Sequence, residues 1–222
     1  MSIGRGALIV IEGVDRSGKT TQCRKLVKSL NDRNIRTELM NFPDRSTLTG
    51  ELISHYLKDK TCTLNDKAIH LLFSANRWEN HDKMKELLEN GCSLIVDRYS
   101  YSGVAFSSIK KNMDLRWCLQ PEVGLIKPDL VLLMTLSDEV MLNRPGFGNE
   151  RYENVEMQKS VKEVFQTFAD NEDNWKVINA AGTIEAVHQK LLREIISKIE
   201  EIGDSPLEKL EFSGKYHSEF FS

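Results

Sequence analysis

A glycine-rich turn constrains this chain more than any other stretch. Gly13-Val14-Asp15-Arg16-Ser17-Gly18-Lys19-Thr20 carries the spacing G-x-x-x-x-G-K-[ST] in full. It follows Ala7-Leu8-Ile9-Val10-Ile11, an apolar, β-branched run of buried-strand length, and precedes a helical spacing of apolar residues and Cys at 23, 26, 27 and 30. Strand, glycine turn and helix are the context the motif needs. Glycines let backbone N–H groups converge on phosphate oxygens, and the helix N-terminus adds partial positive charge. Lys19 then reaches the outer phosphates while the Thr20 hydroxyl is placed to ligate Mg²⁺. The turn predicts a site for a nucleoside triphosphate.

The rest of the chain alternates short strands with helices. Strands are expected at 36–42, 93–97, 130–135 and 175–179. Helical patterns cover 20–31, 47–57, one long run from an Asn65 cap to about Asn90, 100–110, 114–123, 157–169 and a stripe at 184, 187, 191, 195, 199 and 202. A brief helix is expected from Ser137 to about Asn143, followed by a glycine- and charge-rich loop at 144–151. Residues 203–222 are polar, aromatic and non-periodic, and no role is assigned to them. This alternation predicts an α/β three-layer fold of the P-loop NTPase type: a five-stranded parallel sheet with helices on both faces and a short lid. The organisation expected is a single domain over 1–222, with the lid at about 143–153 and the tail from about 203.

Composition narrows the function. A formal charge of −3 over 222 residues provides no global basic field for nucleic acid. Cys23, Cys62, Cys92 and Cys118 are widely spaced, with no metal or disulfide pattern. The first residues lack a secretory core, and the longest apolar run, 130–136, is too short to span a bilayer. A soluble, cytoplasmic protein acting on small phosphorylated molecules is expected, with no membrane or nucleic-acid partner.

In such sheets ligands gather at the carboxyl ends of the strands. The second strand is followed by Phe42-Pro43-Asp44-Arg45, the third by Asp97-Arg98-Tyr99, and the lid carries Arg144 and Arg151. Arg45, Arg98 and the lid arginines, together with Arg16 and Lys19, exceed what one triphosphate with Mg²⁺ needs, which predicts a second phosphate facing the first. Asp97, ending an apolar strand, is placed to hold Mg²⁺ directly or through water, or else to cap the next helix. Phe73 and Arg77 share a helix face, suited either to stacking on and reading a base or to ordinary core packing. A GTPase-like switch is disfavoured, since no N-K-x-D is present and 97–100 reads Asp-Arg-Tyr-Ser rather than D-x-x-G.

Taken together, Gly13–Thr20, Phe42-Pro-Asp-Arg45-Ser-Thr, Leu72-Phe73-Ser-Ala-Asn-Arg77-Trp78, Asp97-Arg98-Tyr99, Ser102-Gly103-Val104-Ala105-Phe106, Lys127-Pro128-Asp129-Leu130 and Glu150-Arg151-Tyr152-Glu153 resemble thymidylate kinases of the eukaryotic type, within the P-loop nucleoside monophosphate kinases. The resemblance runs from about Arg5 to the last long helix. It implies transfer of a phosphoryl group from ATP to dTMP, with Mg²⁺, in a homodimer. It further implies an ATP site at Gly13, Arg16, Ser17, Gly18, Lys19, Thr20, Thr21 and Arg144, with Thr20 and Asp97 toward the metal. The dTMP site it implies comprises Asp15 on the 3′-hydroxyl, Arg45 and Arg98 on the phosphate, Phe73 stacked on thymine and Arg77 on its 4-carbonyl, with Phe42, Gly103, Phe106 and Tyr152 around sugar and base. Arg16, Lys19, Asp97 and Arg98 are the residues expected to carry catalysis, Arg16 clamping the transferring group from within the phosphate loop.

Overall fold

The computed structural model describes residues 4–137, 151–152, 154–212 and 216. Five strands form one parallel sheet: β1 (Leu8–Glu12), β2 (Thr37–Asn41), β3 (Ser93–Asp97), β4 (Leu130–Thr135) and β5 (Trp175–Asn179), in the order β2-β3-β1-β4-β5. All five lie where periodicity put them, within about a residue. β1 is central, pairing Ile9 with both Ile95 and Leu130, and every residue of it is fully buried. Chain order reverses at β1, so the loop leaving it sits at the switch point where such sheets bind ligands.

Alternation along the strands feeds two cores. Ala7, Ile9, Ile11, Ile95, Leu130 and Leu132 face α1 (Lys19–Asn31) and α8 (Ile184–Ile202), through Leu26, Leu30, Leu191 and Ile195. Leu8, Val10, Leu94, Val96, Val131 and Leu133 face the other way. They meet α4 (His81–Glu89), α5 (Ser100–Ser108) and α7 (Val155–Asn171), through Met84, Val104 and Phe165. Ile184 is the exception to the predicted α8 stripe: as the first helical residue after the Thr183 cap, it is exposed.

The expected long helix from Asn65 is two helices, α3 (Asp66–Glu79) and α4. The break falls at Asn80, whose side-chain amide donates to the Asn76 carbonyl at 3.1 Å while its backbone N–H goes to Arg77 O. The side chain thus takes the acceptor that a continuing helix would have used. Likewise the 114–123 patch becomes α6 (Leu115–Leu119) followed by a 3₁₀ turn, Gln120–Glu122, built around Pro121. α2 (Leu48–Lys58) begins at a Thr47 cap, as expected.

The tail corrects the reading that gave it no role. Leu210, Phe212 and Tyr216 are buried, with Leu210 paired through its backbone to Gly124 and Leu125. The Tyr216 hydroxyl donates to Glu172 Oε1 at 2.8 Å, and the Phe212 and Tyr216 rings close an aromatic cluster with Tyr101 and Phe168. Sparse aromatics here seal a core edge, which periodicity does not reveal because the described residues 203–212 and 216 form neither helix nor strand. The expected helix after Ser137 and the lid through Glu150, with Arg144, lie outside the described residues.

Candidate active site

The phosphate loop connects β1 to α1. Gly13 has φ 143°, and a Cβ there would stand 2.4 Å from the Met134 carbonyl, so only glycine lets the chain turn against β4. Gly18 caps α1 in a left-handed conformation without a side-chain cap. The first helical amides are therefore left for a ligand. Lys19, only 5% exposed, curls back to donate to Val14 O at 2.8 Å. Burial, with Arg98 nearby, pulls its pKa down to about 8.

Lys19 and Thr20 share one cavity of about 700 Å³ with Asp15, Arg16, Thr21, Phe42, Arg45, Phe73, Arg77, Asp97, Arg98, Gly103, Phe106 and Tyr152. Residues drawn from three strand ends and three helices, with Tyr152 from the turn before α7, thus meet in one cavity. Gly18 lines it too, while Gly13 and Ser17 shape the loop beside it, and Ser17 Oγ lies 3.4 Å from Lys19 Nζ. The Thr20 hydroxyl donates to Asp97 Oδ2 at 2.5 Å. A hydroxyl and a carboxylate side by side at the phosphate loop suit a hard cation. No cluster of three or more His, Cys, Asp or Glu exists among the described residues, so such an ion would draw its other ligands from phosphate and water.

Arg98 sits between β3 and α5 with φ 67°, a strained conformation for a residue with a side chain. Its guanidinium donates to Gly13 O at 3.2 Å and Ser102 Oγ at 3.1 Å, ion-pairs with Asp15, and lies 5.4 Å from the Phe106 ring centroid. Burial alone would raise the Asp15 pKa, but Arg98 and Lys19 outweigh it and hold the carboxyl below its usual range. Gln158 of α7 fixes the other side, its Nε2 donating to Asp15 Oδ2 at 2.7 Å and its Oε1 accepting from Asp15 N at 2.8 Å.

Several contributors escaped sequence reasoning. Glu12, fully buried, accepts from Tyr99 N, Ser102 N and Ser102 Oγ, so it caps α5 and orients the serine that Arg98 touches. Burial raises its pKa despite those bonds and despite Arg98. Asn76, also fully buried, clamps the loop carrying Arg45, accepting from Asp44 N at 2.7 Å and donating to Asp44 O at 3.0 Å. Its position one residue before Arg77 was the available signal, read only as part of a motif.

Arg151 is a correction. Its guanidinium does not enter the cavity: it donates to Tyr56 O, Asp59 O and Cys62 O at 3.0, 2.7 and 2.7 Å and lies 4.1 Å from the Tyr56 ring centroid. Three carbonyls at the end of α2 absorb the charge expected to face phosphate. Tyr152 beside it does enter, stacked on Phe106 at 5.6 Å. The arginines that line the cavity are therefore Arg16, Arg24, Arg45, Arg77 and Arg98.

The thymidylate kinase family profile matches residues 11–191. A zebrafish (Danio rerio) thymidylate kinase is 53% identical over 205 residues, covering 90% of this chain and 96% of its own. The human enzyme of that name is 51% identical over 192 residues, covering 86% and 90%. The solved structure of a Candida albicans thymidylate kinase superposes with TM-score 0.84 at 40% identity, covering 93% of this chain and 99% of that one.

Proposed function

The chain belongs to the thymidylate kinase family, and from that premise we propose that the cavity holds ATP and dTMP head to head over one cluster of cations. The reaction is ATP + dTMP ⇌ ADP + dTDP, a step toward dTTP. The observation that carries the reading is the meeting of the phosphate loop, Arg45, Arg98 and the Phe73–Arg77 face in one open cavity. We read the chain as one kinase domain.

Phosphoryl transfer asks the protein to align two reactants and to spread charge over the moving group. The loop amides from Gly13 to Thr21, with Lys19, hold the donor's phosphates. Arg45 and Arg98 hold the acceptor's phosphate opposite them, and Arg16 bears on the group in transit. The acceptor phosphate is itself a nucleophile, so no strong general base is required. Asp15, already fixed by Gln158 and Arg98, accepts from the 3′-hydroxyl. Thr20 and Asp97 are the residues that would hold Mg²⁺, which neutralises phosphate charge when bound. Phe73, Phe42, Phe106 and Tyr152 enclose sugar and base, and the enclosure keeps water from competing with dTMP.

Acceptor profiling tests this. With ATP, Mg²⁺ and each nucleoside monophosphate in a coupled ADP assay, dTMP is expected to be the best acceptor. dUMP should be weaker, and dCMP, which offers an amino group where thymine offers a carbonyl, should fall roughly 10- to 100-fold below dTMP. Rates with dCMP equal to those with dTMP would remove the base assignment, and no ADP formed with dTMP would remove the function.

The assembly proposed is a homodimer. Leu48 and Leu52 share one face of α2, Leu71 and Trp78 one face of α3, and all four are exposed at 40% or more. Such apolar side chains on two packed helices suit a partner surface. Sedimentation showing only monomer at micromolar concentration would contradict it. No described helix is long and apolar enough to cross a membrane. The four cysteines are free, which suits a reducing compartment. The cytoplasm is therefore the location proposed, and cell fractionation that left the protein in another compartment would reject it.

A further inference from the structure

Arg77 is 2% exposed and Glu122 fully buried, an ion pair with no solvent to soften it. The carboxylate takes Nε at 2.7 Å and Nη2 at 2.5 Å, a side-on, two-point grip. A guanidinium has five N–H donors in one plane. This grip uses the edge formed by Nε and Nη2 and leaves Nη1, with the remaining Nη2 hydrogen, for the cavity that Arg77 lines. The plane is fixed from another side as well. A Cβ on Gly103 would stand 2.5 Å from Nη2 and 3.0 Å from both Cζ and Nη1, so the guanidinium lies against that backbone.

Glu122 is itself held in place. It ends the 3₁₀ turn Gln120–Glu122, and the carbonyl of Pro121 accepts from Ser74 Oγ at 3.0 Å and Trp78 Nε1 at 2.8 Å. Ser74, Arg77 and Trp78 are successive α3 positions three and four apart, so one helix face grips the turn at three points. The pair is also neutral as a unit. A lone buried guanidinium would favour an anion, whereas one matched by a carboxylate presents directed N–H groups to an uncharged carbonyl.

We propose that Glu122 is a positioning residue for base choice: it fixes the Arg77 guanidinium and cancels its charge, so that the cavity selects a pyrimidine with a carbonyl, not an amino group, facing Nη1. This rests on Arg77 reading the base, as proposed above. Glu122 touches neither nucleotide and acts only through Arg77.

The test compares kcat and KM for dTMP and dCMP in wild type, Glu122→Gln, Arg77→Met and the double variant. Glu122→Gln should raise the dTMP KM about tenfold and lower the dTMP-to-dCMP ratio of kcat/KM by a similar factor, with the ATP KM unchanged within about twofold. A merely structural role would lower Tm and kcat for both acceptors alike and leave their ratio untouched. The double variant, which has no buried charge to strand, should match Arg77→Met in selectivity. That comparison still decides the matter if Glu122→Gln alone does not fold. A wild-type ratio in Glu122→Gln, or selectivity in the double variant lost beyond that of Arg77→Met, would overturn the proposal. If Arg77→Met itself keeps the wild-type ratio, it is the underlying reading of Arg77 that fails.

Discussion

Lys19→Met is expected to lower kcat by roughly a hundred- to a thousandfold while the protein stays folded. Lys19 is the one ammonium in the phosphate loop, and its native contacts are the Val14 carbonyl and the Ser17 hydroxyl rather than any carboxylate. Asp15, which Lys19 helps to hold ionised, keeps its ion pair with Arg98, so the substitution does not leave that carboxylate without a cation. The folded state lowers the Lys19 pKa from 10.5 to about 8, chiefly by burial. Between those values the unfolded chain binds more protons than the folded one, so stability rises with pH across that window, and charged Lys19 costs stability below it. A Tm for Lys19→Met equal to or above that of wild type at neutral pH follows, because methionine fills the same space without a charge. For the wild-type enzyme, kcat/KM for ATP should fall as pH rises past about 8, since that ratio reports groups of the free enzyme. The fall in kcat should lie higher, because bound phosphates restore the proton. Initial rates across pH together with a thermal melt check all of this. Near-normal turnover in Lys19→Met would remove Lys19 from the mechanism.

Arg98→Ala is expected to be comparably severe, through the other substrate. Its guanidinium bridges Gly13 O, Asp15 and Ser102, so one substitution removes the contact proposed for the acceptor phosphate and loosens the aspartate assigned to the 3′-hydroxyl. A rise of about a hundredfold in dTMP KM, with a similar loss in kcat, is the scale expected for a charge-assisted, forked contact. Arg98→Lys should recover only a small part, since an ammonium cannot span the same acceptors. ATP KM should change by less than about threefold. Steady-state kinetics with each substrate varied in turn reads these effects, and a dTMP KM left unchanged in Arg98→Ala would move the acceptor phosphate elsewhere.

What could be read in advance divides along physical lines. The placement of Lys19, Thr20 and Asp97 was legible because it depends on local chain order: a strand, a turn and a helix start are written in consecutive residues. The sheet was legible for the same reason, since buried parallel strands are short apolar runs. Glu12, Glu122 and Gln158 were not, because each earns its role from partners 45 to 143 positions away. Glu12 reads as the end of a strand and Glu122 as a polar turn residue until the fold places one under α5 and the other against Arg77. Arg151 failed in the opposite direction: its charge and its place in a motif pointed to phosphate, yet the carbonyls at the end of α2 were nearer. The break at Asn80 turns on whether one side-chain amide captures one carbonyl, a choice that helical periodicity does not register. Tyr216 and Phe212 seal the core from a segment without periodicity, so only packing reveals their contribution.

The account depends on two phosphate sites served by different cations. Calorimetric titration of ATP and of dTMP, separately, into Lys19→Met and Arg98→Ala tests it most directly. The expected result is crossed: Lys19→Met keeps its affinity for dTMP and loses affinity for ATP, while Arg98→Ala keeps ATP and loses dTMP. Both variants losing the same nucleotide, and only that one, would contradict it.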